Sequence, residues 1–184
     1  MGVSRRRAYL PAILAVLLAL PLLISSHQQN ERIGYPHWEG DGVRTMTVLT
    51  TLSSDYDKWT KRVLRTWRKS GLVAFFLVHG ADDGTCGMPP DGYIKICRER
   101  NPNGAGSAQV GYKDRHIGAA VARINVSKKR HFIITLCHEV GHTLGLAHQP
   151  AGSGTCLTQS PTWYDIKPNA HDFETLRQIQ DHND

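Results

Sequence analysis

His138-Glu139-Val140-Gly141-His142-Thr143-Leu144-Gly145-Leu146-Ala147-His148 is the stretch on which the reading of this chain turns. It has the form H-E-x-x-H-x-x-G-x-x-H. Residues four apart share a helix face, so His138 and His142 can aim two imidazoles at one metal ion. Glu139 follows the first of them directly, close enough to reach a metal-activated water without being a ligand. Gly145 takes φ > 0 without steric cost and can end the helix in a sharp turn. The chain then returns His148 as a third ligand. Three neutral imidazoles and one open position describe a catalytic zinc site rather than a closed structural one. The short form H-E-x-x-H recurs by chance. The longer form, with the glycine and third histidine in place, is far more specific. The bland alternative, a buried helix with incidental histidines, must account for every specified position at once.

On these residues the chain resembles the metzincin clan of zinc endopeptidases, and it looks most like a small matrixin-type catalytic domain. The resemblance implies that His138, His142 and His148 bind Zn2+ and that Glu139 is the general base. Over residues 43–180 the likeness extends only to the order of elements. The clan also has a methionine turn soon after the third histidine. The matching segment is Gly154-Thr155-Cys156-Leu157-Thr158-Gln159, with Leu157 where the clan has methionine. That methionine packs beneath the zinc without ligating it, and leucine has similar volume. The fold implied is α+β: a mixed twisted sheet with a first helix, an active-site helix and a C-terminal helix. An antiparallel edge strand would line the cleft, either 108–113 or the strand after it, and extended substrates would add to that edge.

The pattern along the chain agrees with this order. Val43 to Leu52, rich in Thr and Val, reads as a first strand. Ser53 or Ser54 offers an N-cap, with Asp55 and Asp57 in the first turn. The helix that follows runs to about Ser70, with Tyr56, Trp59, Val63 and Trp67 as its apolar stripe. Its Lys and Arg residues read as a solvated face, and its tryptophans as core. Leu72 to Val78 is a continuous apolar run and reads as a central buried strand. Tyr93–Cys97, Gln109–Tyr112 and Ile117–Val126 read as further strands. Residues 101–107 form a glycine-rich loop without a phosphate-loop pattern. The active-site helix is expected over His131–Gly145. A last helix starts at Asn169, capped by that residue with Asp172 three positions on.

Ahead of this domain (43–184), residues 27–42 read as a polar linker. Arg5, Arg6 and Arg7 precede the apolar run Ala8 to Ile24, which gives residues 1–26 the character of a signal peptide or a signal anchor. The domain is therefore expected outside the cell, secreted or held at the membrane only by that segment. Without residues 1–26 the 22 Lys+Arg fall to 19, against 16 Asp+Glu, a net charge of +3. No basic tract with interleaved aromatics argues for nucleic acid. The partner expected is a peptide or protein substrate, and the protein a monomer.

Four cysteines in an exported domain suggest two disulfides. Of the three pairings, Cys86–Cys97 and Cys137–Cys156 are favoured: the first pair flanks a turn-rich segment, the second would tie the active-site helix to the turn beneath the metal. No C-x-x-C pair points to cysteine ligands. His27, His37 and His182 read as lying in mobile ends. His79, Asp83, His116 and His131 could be recruited to a second metal, but their spacing fits no such site. Asn125-Val126-Ser127 is a glycosylation sequon placed in a strand, which argues against its use. Two other functions remain open at this stage: a zinc hydrolase acting on a different amide, and a zinc-binding regulatory module without catalysis. A module of the second kind would have no need of Glu139.

Overall fold

The computed structural model describes residues 37–40, 42–81, 84–99, 104–127, 131–159 and 166–181. The signal segment, Asp83, His27 and His182 lie outside them. Alternating Thr and apolar residues make Arg44–Thr50 strand β2, with Met46 and Val48 turned into the core. A short 3-10 turn, Ser54–Tyr56, capped by the Ser53 side chain, leads into helix α1, Asp57–Arg68. Gly71, at φ +74°, ends the connection, and β3, Val73–His79, returns parallel to β2. A parallel pair needs such a crossover. Strands β4 (Tyr93–Arg98), β5 (Gly106–Lys113) and β6 (His116–Ile124) follow. With β1, His37–Trp38, the sheet order is β1-β6-β4-β2-β3, and β5 lies beside β6. Every pairing is parallel except β5 with β6. Helices α2, Phe132–Thr143, and α3, Ala170–Gln180, complete the mixed α/β arrangement.

Three expectations are corrected here. The apolar run at 72–78 is an edge strand and not the central one. β3 pairs with β2 alone, and Phe76 and Val78 are 65% and 40% exposed. The central position belongs to β4, where Ile94, Lys95, Ile96 and Cys97 are all buried. Within the stretch read as linker, His37 and Trp38 are buried and pair with His116 and Ile117. The Trp38 indole donates to the Thr143 carbonyl at 2.9 Å, which ties β1 to the end of α2. On α1, Trp59 is exposed, with Lys58 Nζ 5.4 Å from its ring. The buried face is Thr60, Val63, Leu64 and Trp67.

Segment 84–92 crosses β4 and β6. The Cys86–Cys97 disulfide fastens it, Lys95 Nζ donates to the Thr85 carbonyl, and the Arg123 guanidinium donates to the Cys86 carbonyl. The amide of Asn125, just past β6, donates to the Gly104 carbonyl at 2.8 Å, so the sequon's nitrogen is engaged within the fold. α2 lies against both β5 and β6 and packs on α1. There the buried Trp67 indole donates to the Cys137 carbonyl at 3.2 Å. A buried indole N–H needs such a partner.

Candidate metal centre

His138 and His142 stand one turn apart on α2, the second of them one residue before its end. The helix stops in a Schellman turn. Gly145 sits at φ +89°, its N–H donates to the His142 carbonyl, and the Leu146 N–H reaches back to the Gly141 carbonyl. A β-carbon would strain that conformation. The turn sends the chain back past the helix and sets His148 against the other two. Nε2 of His138 lies 2.9 Å from Nε2 of His142 and 3.0 Å from Nε2 of His148. This is the one group of potential metal ligands found among the described residues.

Backbone carbonyls fix the tautomers. His138 Nδ1–H donates to the Cys156 carbonyl and His142 Nδ1–H to the Leu146 carbonyl, each at 2.7 Å. A carbonyl can only accept, so the proton sits on Nδ1 and the lone pair on Nε2. Burial lowers the pKa of His138, opposed by its bond to Cys156 and helped by His148. Burial likewise pushes His142 down to about 4, opposed by the Leu146 bond and helped by its two histidine neighbours. Both are neutral at pH 7, as ligation demands. Neutral lone pairs aimed at one another repel unless a cation lies between them. The two separations from His138 Nε2, 2.9 and 3.0 Å, fall only a few tenths of an ångström short of what zinc–nitrogen bonds of about 2.0–2.1 Å would ask. The donor set fits that ion, and the carbonyls hold the rings as partners of metal ligands commonly do.

Glu139 is 6% exposed and turns toward β5: its Cγ lies 3.0 Å from where a β-carbon on Gly106 would stand. Burial, and then the Glu99 carboxylate, raise its pKa to about 8. A divalent cation beside it acts in the opposite sense and favours the ionised form.

The segment after His148 forms the floor. Gln149 pairs with Leu157 and Gln159 through its backbone, and Thr158 closes a turn onto Thr155. The Cys137–Cys156 disulfide joins this turn to α2 one residue before His138. Both disulfides are those the spacing favours. Leu157 is wholly buried, with its Cδ2 2.6 Å from where a β-carbon on Gly141 would be and Trp67 close behind. Glycine at 141 is therefore what lets the floor and Trp67 approach the helix between His138 and His142. Leu157→Ala is expected to open a void costing about 2–5 kcal/mol and to weaken metal binding, while Leu157→Met stays within about 1.5 kcal/mol of the parent. Thermal unfolding and metal titration of the two variants check this. Unchanged stability in Leu157→Ala would place the floor elsewhere.

The part the motif did not reveal is Asp172. Its carboxylate is fully buried at the start of α3. It accepts from Gln149 Nε2 at 3.1 Å, from the Thr155 hydroxyl, and from the Asn169 N–H at 2.8 Å within a complete capping box. One carboxylate thus joins the residue after the third histidine to the turn under the first. The capping pattern announced Asp172 as a helix start, and nothing local announced its two long-range partners. His79 is paired with Asp57 at 3.0 Å, and His116 meets His37 edge-on with ring centroids 4.6 Å apart. They are thus apart from the three histidines.

Comparison with known proteins agrees with this geometry. The sequence model of the reprolysin-like metallopeptidases of family M12B matches residues 40–171. No curated protein matches the chain in sequence. Among solved structures, high choriolytic enzyme 1, a hatching enzyme zinc-protease from the medaka fish Oryzias latipes, superposes with a TM-score of 0.54 at 9% identity, over 80% of this chain and 95% of that one. Myroilysin superposes with a TM-score of 0.53 at 12% identity, over 83% of this chain and 98% of that one. At such identities the likeness is one of fold.

Proposed function

The chain belongs to the reprolysin-like M12B metallopeptidases and is a zinc metalloendopeptidase acting on peptides or proteins, and from that premise we propose that His138, His142 and His148 hold the zinc and that Glu139 is the general base. The observation that carries this assignment is the convergence of three Nε2 atoms, with the His138 and His142 rings each locked by a backbone carbonyl. Zinc, when bound, supplies positive charge that polarises a water, bringing its pKa toward about 7, and steadies a developing oxyanion. The chain's own groups do the rest. Glu139 takes a proton from the attacking water and delivers it to the leaving amine nitrogen. The Cys156 and Leu146 carbonyls keep the imidazoles in register, and the Leu157 floor keeps water from beneath them. The edge of β5, beside Glu139 at Gly106, offers free backbone groups along which an extended substrate aligns.

The setting is extracellular. Residues 1–26 act as signal peptide or signal anchor, the catalytic domain spans 43–184 with β1 as an added tie, and the protein works as a monomer. The two disulfides support an oxidising compartment. The test is cleavage of a peptide library by the purified domain. Hydrolysis at internal bonds should vanish on chelation and return with about one equivalent of zinc. Activity that survives complete removal of the metal would end this reading, and hydrolysis of only non-peptide amides would move it to another class of zinc hydrolase.

A further inference from the structure

At about 100° per residue, Lys58, Lys61, Arg62, Arg65, Arg68 and Lys69 fall within an arc of about 120° on α1, away from its buried face. All six are exposed, and no acidic residue lies between Lys58 and Lys69. Among the described residues only Lys61 of the six has a carboxylate partner, Asp57 at 3.4 Å. These six are the source of the domain's positive charge. Without them and residues 1–26, 19 Lys+Arg become 13, against 16 Asp+Glu.

A solvated face is the default reading of such a helix, and two structural facts go beyond it. Arg62, Arg65, Thr66 and Lys69 form one wall of a cavity of about 270 Å³, and Ile166 and Lys167 form the other. A fourth cation from a distant part of the chain is thus brought against three that already repel one another. The wall that carries Lys167 is tied to the three histidines through the backbone. The Lys167 carbonyl accepts from the Cys156 N–H at 3.0 Å, and the Cys156 carbonyl orients His138.

The geometry points to an exosite in which the basic face of α1, together with Lys167, holds an acidic segment of a protein substrate whose scissile bond lies at the zinc. This rests on the endopeptidase reading above. Guanidinium forks match carboxylates in pairs. Lys58 to Lys69 spans about 16 Å of helix, which about five residues of extended acidic chain would cover. A polypeptide is the occupant because polypeptides are what the enzyme's own reaction brings to it, and an acidic one complements the charge of this face. Charge attraction there lowers KM and leaves the chemical step unchanged.

Two fluorogenic peptides with one cleavable sequence test this, each extended on either side through Gly-Ser spacers by five glutamates or by five glutamines. At low salt the glutamate peptide should show a KM lower by about tenfold at equal kcat, an advantage that fades at about 0.5 M salt. Arg62→Glu/Arg65→Glu/Lys69→Glu should abolish the preference while cleaving the glutamine peptide like the parent. The milder Arg62→Gln/Arg65→Gln/Lys69→Gln variant removes the same preference if reversed charges disturb α1. Anisotropy of a labelled pentaglutamate peptide on the Glu139→Gln protein reads docking without turnover, so a failed protease assay does not blur the result. Equal KM values in the parent, a preference that survives both variants, or binding of a sulfated oligosaccharide or anionic vesicles without binding of the acidic peptide would overturn the proposal.

Discussion

Replacing Glu139 by glutamine is expected to leave zinc bound and to cut peptide hydrolysis by about two to four orders of magnitude. The two side chains have nearly the same shape, and Glu139 points to β5 and Gly106 rather than into the cluster of imidazole nitrogens. The substitution therefore removes proton transfer while sparing the ligands. A loss of packing would show as a lower unfolding temperature. A loss of metal would show in the zinc content. Neither is expected, because the amide fills the same buried space. The informative measurement is single-turnover cleavage at matched zinc occupancy. A rate equal to the parent's would mean that another group accepts the proton.

The features legible in the sequence were those set by nearby residues. Helical spacing places His138 and His142 together, Gly145 ends α2, and Asn169 with Asp172 begins α3, all within a few positions of one another. The disulfide Cys137–Cys156 followed because each cysteine adjoins an element that the motif already located. The features that escaped depend on pairing at a distance. An apolar run such as Val73–His79 has the composition of a buried strand wherever it lies. Only the sheet order shows that it is an edge leaving Phe76 65% exposed. His37 and Trp38 are two residues long as a strand, too short for any period, and their burial comes from β6 and the end of α2. Asp172 looks like an ordinary cap until Gln149 and Thr155 arrive from far along the chain. The three-histidine cluster was readable because its members are close in sequence, and its support was not because its parts are remote.

His142→Ala is expected to have the largest effect on the metal itself. His142 is held on α2 with its Nδ1–H fixed to Leu146 and its Nε2 2.9 Å from that of His138. Alanine leaves two imidazoles, and a zinc held by two side chains with water in the remaining positions is far weaker than one held by three. Activity should fall to background with the metal, and excess zinc should not restore it. The fold should survive, since neighbouring Gly141, Leu157 and Trp67 pack without the imidazole.

Zinc content at a buffered free concentration, measured for the parent and for His138→Ala, His142→Ala and His148→Ala, tests the assignment most directly. The parent should carry about one zinc per chain and each variant a small fraction of that; full occupancy in any of the three would contradict the site.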